Sequence, residues 1–377
     1  IAVNDINNAA SITSGKNLIL WSMVGNIKNE GTIQAVERID MDATKGTVYN
    51  LAGITSTSGV VEVLAGESIV NLGDNESDAI TAKGEVVLDA GEVLINTAKI
   101  ISTDADVSIE ANAGVMNIVA RDYEGTGTTN QNGSIKAKGN VVIKTFDENI
   151  KDVSSVVYNS ADIESDGNVI IDAYGSLYND GNIKAVQEVH LDSWKADLHN
   201  TGDIVSVQGD VKLYANQNLY NGNENSSGNI TTENQSELTA YKGNVVNYGN
   251  MESQTSSVAL TGAGIYKTEL NNNYDVFSDI TNYGSITAAE AVLLCTANGN
   301  INNLNQITSQ NSTVTIKAEQ HSSYKGSESV GNIRNGVGAS YDNKADITAK
   351  QGIILQATGN IQNIGDYLVT DTGDITV

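Results

Sequence analysis

An asparagine that returns every 21 residues constrains this chain more than any other feature. Asn29 to Asn50, Asn50 to Asn71, Asn179 to Asn200, Asn200 to Asn221 and Asn282 to Asn303 are all steps of 21. Many of these asparagines are followed two residues later by glycine, as in Asn29-Glu30-Gly31, Asn71-Leu72-Gly73, Asn247-Tyr248-Gly249 and Asn282-Tyr283-Gly284. Asn50, Asn221, Asn303 and Asn363 hold equivalent places with looser flanks, and Asn335 continues the series. A fixed period of this length is the mark of a repeat architecture, in which each unit buries its apolar face only against its neighbours.

The rest of the unit moves with the asparagine. One coil reads Ser176-Leu177-Tyr178-Asn179-Asp180-Gly181-Asn182-Ile183-Lys184-Ala185, then Val189-His190-Leu191-Asp192-Ser193. The next reads Asp197-Leu198-His199-Asn200-Thr201-Gly202-Asp203-Ile204-Val205-Ser206, then Val211-Lys212-Leu213-Tyr214-Ala215. Apolar and polar residues alternate over three to five positions, which is strand periodicity with one buried face. No window sustains helical spacing. Strands this short are stable only when stacked. The pattern therefore predicts an all-β, right-handed parallel β-helix of about fifteen coils with three strands per coil. At about 4.8 Å per coil, such a stack would be on the order of 70 Å long. Residues 1–377 are expected to form one such shaft.

Composition agrees with a narrow core. Hydrophobic residues make up 40% of the chain but aromatic ones only 5%, so Ile, Val, Leu and Ala must fill the interior. There is no proline, a residue that cannot donate to a strand ladder. Each repeating asparagine sits where one strand gives way to the next. Asparagine suits turns, and its amide can bond to the equivalent amides above and below. The series Asn29, Asn50, Asn71, Asn179, Asn200, Asn221, Asn247, Asn282, Asn303, Asn335 and Asn363 is expected to be structural.

The period lengthens in places: Asn221 to Asn247 is 26, Asn303 to Asn335 is 32 and Asn335 to Asn363 is 28. A core of fixed width cannot hold the surplus, which should leave it as loops. Candidates are Arg121 to Gly133, Asp147 to Ser155, Gly222 to Gly228, Ala263 to Asp279, Glu319 to Gly331 and Gly336 to Lys344. Tyr266, Tyr274 and Tyr324 in these segments are candidate binding residues for a glycan or protein receptor.

The net charge of −25 argues against a nucleic-acid partner and an anionic membrane surface. No run of 18 apolar residues is present, so no membrane insertion is expected. The first residues lack the basic and apolar regions of a signal peptide and read as the middle of a repeat. The chain is accordingly expected to be a piece of a longer protein.

Chemistry is sparse. The three histidines are His190, His199 and His321, and no zinc-ligand spacing occurs. Tyr178, His199 and Tyr220 hold the same outward slot in successive coils and should stack as a column. Cys295 reads by register as a small inward residue in the place of Ile171. The closest acidic pairs, Asp40 with Asp42 and Asp104 with Asp106, lie at i, i+2 in strands or turns and are expected to have no basic companion. Glycoside hydrolysis needs clustered acid and base carboxylates, so no enzyme, cofactor or metal is expected.

The unit Asn-x-Gly-x-Ile-x-Ala/Ser, then Val-x-Leu-x-Ala, then Gly-x-Ile/Val-x-Asn resembles the repeats of filamentous haemagglutinins. It covers nearly the whole chain, for instance Gly25-Asn26-Ile27-Lys28-Asn29-Glu30-Gly31-Thr32-Ile33-Gln34-Ala35. Such exoproteins of Gram-negative bacteria are secreted by the two-partner route, and contact-dependent inhibition toxins use similar repeats as a stalk. The Asn-Pro motifs of the family's secretion domain are absent. The resemblance implies a structural or adhesive shaft at the bacterial surface, exported by an outer-membrane transporter and contacting a host or bacterial receptor. End-to-end stacking of identical copies into a filament is the alternative.

Overall fold

The computed structural model describes residues 1–73, 76–119, 133–146, 155–262, 278–319, 331–336, 345–364 and 367–377. The chain is all-β. Three parallel sheets stack as a β-solenoid of about 14 turns. Among the described residues there is no α-helix, and a single 3-10 turn lies at Glu76–Asp78. Two compact units, Ile1–His190 and Leu191–Val377, are built to the same plan.

In the first unit, one sheet takes the strands that end on asparagine: Ile6–Asn8, Ile27–Asn29, Val48–Asn50, Ile69–Asn71, Val93–Asn96, Gly114–Asn117, Val156–Asn159 and Leu177–Asn179. Each pairs in parallel with its counterpart one coil on, as Ile27 with Val48 and Asn29 with Asn50. The second sheet takes strands such as Ile33–Ala35 and Ile54–Ser56, and the third the longer ones, such as Arg38–Ala43 and Val60–Ala65. The second unit repeats this order. Its asparagine sheet runs Leu198–Asn200, Leu219–Asn221, Val245–Asn247, Ile280–Asn282, Ile301–Asn303, Ile333–Asn335 and Ile361–Asn363.

Alternation in sequence becomes alternation in burial. Val258, Leu260 and Gly262 face inward while Ala259 and Thr261 face out. Like packs on like along the stack: Leu213, Leu238, Leu260 and Leu294 follow one another in register, with Ile316 and Leu355 beyond them. All of these are 0–2% exposed. Branched aliphatic side chains suit such a column because they fill a pleated, half-buried surface with few rotamers to lose.

The asparagines at the strand ends point inward and form a ladder. In the first unit Asn8, Asn29, Asn50, Asn71, Asn96, Asn117, Asn159 and Asn179 donate in turn, each side-chain Nδ2 to the next Oδ1, at 2.7–2.8 Å. In the second unit Asn200, Asn221, Asn247, Asn282, Asn303, Asn335 and Asn363 do the same. The same nitrogen often gives its other hydrogen to the carbonyl two residues on, as from Asn247 to Gly249 at 2.8 Å and Asn282 to Gly284 at 2.8 Å. Sequence separation does not disturb the ladder. It crosses 42 residues between Asn117 and Asn159 and 35 between Asn247 and Asn282 with bonds of 2.7 and 2.8 Å.

A second, half-exposed ladder runs just before the same strands. In the second unit the backbone N–H groups of Asn244, Asp279, Asn300, Asn332 and Asn360 donate to the side-chain Oδ1 of Asn218, Asn244, Asp279, Asn300 and Asn332. This ladder asks only for an acceptor, and aspartate and asparagine interchange in it. The inner ladder asks each member to accept and to donate, and every member is asparagine.

Of the segments expected to leave the coil, Gly222 to Gly228 is described. Its two glycines have φ of +82° and +53°, which favour glycine. Asn223 and Ser226 close it by exchanging backbone hydrogen bonds of 2.7 and 3.3 Å. Arg121 to Gly133, Asp147 to Ser155, Ala263 to Asp279, Glu319 to Gly331 and Gly336 to Lys344 lie, apart from their edges, outside the described residues. Tyr266, Tyr274 and Tyr324 lie there too.

Two sequence expectations are corrected. Cys295 does not take the inward slot of Ile171. In the strand Val292–Thr296 the inward residues are Val292, Leu294 and Thr296. Cys295 faces outward between Thr261 and Lys317 and is half-buried. The register is one residue off the assumed one, because Leu293 and Leu294 are both apolar and only the second is inside. Burial pushes the thiol up, Lys317 pulls it down and Glu319 pushes it up further. The acidic pairs also have basic companions. Arg38 bridges Asp40 and Glu62, and Lys83 lies 3.8 Å from Asp104. The Arg38–Glu62 and Lys83–Asp104 partners come from the neighbouring coil, 21 or more residues away in sequence.

Candidate functional site

The second unit carries an open groove of about 380 Å³ on the outer face of its asparagine sheet. Two columns of side chains build it. The middle residues of four successive strands, His199, Tyr220, Val246 and Thr281, stand in register. The residues just after the ladder asparagines, Thr201, Gly222, Tyr248 and Tyr283, form the other column. The backbone N–H groups of Gly222, Tyr248 and Tyr283 donate to the carbonyls of Asn200, Asn221 and Asn247 one coil back. The loop residues Asn223 and Glu224 complete the rim.

The rings pair within their columns. His199 and Tyr220 stack at 4.7 Å with planes 16° apart. Tyr248 and Tyr283 stack at 4.4 Å with planes 9° apart. These separations match the step between parallel strands, so the ring faces look along the stack and their edges look out to solvent. Above Tyr220 the next residue in its column is Val246, and below Tyr248 the next is Gly222. Each pair thus ends on a ring face with little or no side chain beyond it.

Carboxylates flank both pairs. His199 Nε2 is 4.0 Å from Asp197 Oδ2. Burial pushes the Tyr220 hydroxyl above its ordinary range, and Asp197 adds to this. Tyr248 is also raised, by burial first, then by Tyr283 and Glu224. Both phenols therefore remain neutral donors at physiological pH. No Lys or Arg lines the groove among the described residues.

Of the expected column Tyr178, His199 and Tyr220, the stack of His199 on Tyr220 is present within the second unit. Tyr248 and Tyr283 were not singled out by sequence, although both stand in an Asn-Tyr-Gly triplet that would have placed them in one column. In the first unit the corresponding outward column begins with Asn7 and Lys28 and continues with Tyr49, Val70, Ile95, Met116, Tyr158 and Tyr178 in register. Tyr158 donates from its hydroxyl to Asp180 at 3.0 Å.

Among the described residues, no three His, Cys, Asp or Glu side chains are grouped to hold a metal ion. Asp40 and Asp42 face outward on the strand Arg38–Ala43, the former tied to Arg38. No helix among the described residues is long and apolar enough to cross a membrane. No family model, curated protein or solved structure matches the chain.

Proposed function

We propose that this chain is a structural and adhesive shaft segment of a secreted fibre on the surface of a Gram-negative bacterium, of the filamentous-haemagglutinin type. The observation that carries this reading is the continuity of bonding within each unit: three parallel sheets and an inner asparagine ladder tie every described coil to the next. Such a stack resists bending because bending must stretch several ladders at once. The net charge of −25 supports the same reading, since like-charged fibres repel and remain dispersed. In this role the chain is not an enzyme. Its partners are the neighbouring coils of the fibre, an outer-membrane transporter during export, and a host or bacterial surface receptor.

Assembly of identical copies end to end is the competing reading. It rests on the general tendency of a free parallel-sheet edge to template a further strand, and on both units being built to one coil plan. Negative-stain microscopy of the purified chain over a range of concentrations separates the two. The shaft reading expects elongated single particles of constant length at every concentration. Filaments with an axial repeat of one chain would replace it with a self-assembling subunit, and compact round particles would contradict both.

A further inference from the structure

We propose that the groove between the His199–Tyr220 and Tyr248–Tyr283 stacks binds arginine side chains presented by a basic protein partner. The inference goes beyond the shaft reading and does not depend on it.

Three observations select this chemistry. The first is ring orientation. The faces of Tyr220 and Tyr248 look along the stack, and only their edges face solvent. A sugar ring lying on the surface would meet edges. A flat group entering edge-on would instead meet faces, and would extend either stack by one step: over Tyr220, outward of the shorter Val246 side chain, or under Tyr248, where the column presents Gly222 and no side chain. A guanidinium is such a group, planar and weakly enough hydrated to stack on an aromatic face.

The second is charge. Glu224 stands on the rim as an exposed side chain and acts on Tyr248, while Asp197 acts on Tyr220. Each ring pair thus has a carboxylate beside it, no Lys or Arg lines the groove among the described residues, and the whole chain carries −25. An anionic ligand is repelled and a cation drawn in. The third is size. A groove of about 380 Å³ is at the small end of ligand-binding clefts, with room for one or two side chains but not for a folded element.

The loop Gly222 to Gly228 gives the site its form. Its insertion removes a side chain from the column at Gly222 and sets Glu224 at the mouth. Gly222 at φ +82° cannot easily be replaced, since a side chain there would be strained and its Cβ would lie 2.6 Å from the Ser227 carbonyl oxygen.

The test is fluorescence anisotropy on the full chain at physiological salt, with a short capped dye-labelled peptide carrying two arginines. Its lysine and citrulline counterparts are run beside it. The arginine peptide is expected to bind, and the citrulline peptide, uncharged but of the same shape, to bind at least about tenfold more weakly. Tyr248→Ala and Glu224→Gln are each expected to weaken the arginine peptide by about three- to tenfold. Glu290→Gln, which removes one exposed carboxylate elsewhere, should leave it unchanged. Circular dichroism confirms that each variant keeps its fold. Equal binding by all variants would reduce the effect to the general acidity of the surface and overturn the proposal. Lysine binding as tightly as arginine would overturn the stacking argument. Displacement of the peptide by a neutral oligosaccharide that itself binds more tightly would make the groove a glycan site instead.

Discussion

Replacing Asn247 by aspartate is expected to destabilise the second unit by about 3–5 kcal/mol at neutral pH, the usual consequence of an uncompensated buried charge. Asn247 is fully buried. Its Oδ1 accepts from Asn221 at 2.7 Å, and its Nδ2 donates both to Asn282 Oδ1 and to the Gly249 carbonyl, each at 2.8 Å. Aspartate keeps the first bond and turns the other two into contacts between acceptors. The effect has a definite pH dependence. Burial and neighbouring acceptors raise the pKa of the new carboxyl in the folded state above its unfolded value of about 3.9. The folded form then holds the proton more tightly, so the damage is least below about pH 4 and grows as pH rises through the folded pKa. Asn247→Ala removes the same bonds without adding a charge. Its cost should be about 1–3 kcal/mol and independent of pH. Urea unfolding followed by circular dichroism between pH 3 and pH 8 measures both. A loss under about 0.5 kcal/mol for the aspartate variant at pH 7, the range of an ordinary surface change, would show that the ladder contributes little.

Leu260→Ala should cost about 2–5 kcal/mol through lost burial and the cavity left behind. Leu260 is fully buried and packed in register between Leu238 and Leu294. Parallel strands hold those neighbours at a fixed spacing, so they cannot move along the stack to fill the space. The adjacent Thr261 faces outward between Thr239 and Cys295, and Thr261→Ala should change stability by no more than about 0.5 kcal/mol. In a solenoid each coil contacts only its neighbours. The Leu260→Ala loss should therefore appear in hydrogen exchange as faster opening of the strands around 238, 260 and 294, with strands several coils away much less affected. Uniform weakening of every strand in the unit would contradict that picture.

The coil was legible in the sequence because one repeat fixes strand, turn and core position together. The inner ladder was only partly legible. The Asn-x-Gly spelling pointed to Asn29 or Asn179, but Asn8, Asn96 and Asn159 have alanine in the glycine place, and Asn117 has Val119. The better signal is the apolar residue two places before each asparagine: Leu94, Val115 and Val157 are buried in the core beside their ladder members, and Ile6 is half-buried. Cys295 was misplaced because two adjacent leucines hide the parity of their strand. The aromatic groove was half legible. Register alone gave His199 on Tyr220, whereas Tyr248 and Tyr283 are 35 residues apart, a step the 21-residue period does not pair, and the strands before them meet in register all the same.

The contrast between the two ladders explains the chemistry of the repeat. Turn positions that need only an acceptor use Asp197 or Asp279 as readily as Asn218 or Asn300, which places part of the acidic excess in structural roles. Interior positions that must donate and accept admit asparagine alone.

The most direct measurement of the central claim, that a buried asparagine ladder binds coil to coil, is solvent exchange of side-chain carboxamide protons by NMR on the nitrogen-15-labelled chain. Carboxamides of Asn71, Asn221, Asn247 and Asn282, assigned by single substitutions, are expected to persist for hours in deuterated water, as deeply protected as the surrounding strand amides. Exposed asparagines such as Asn223 should exchange before the first spectrum. Loss of every asparagine carboxamide signal in that first spectrum, with the backbone strands still protected, would contradict the ladder.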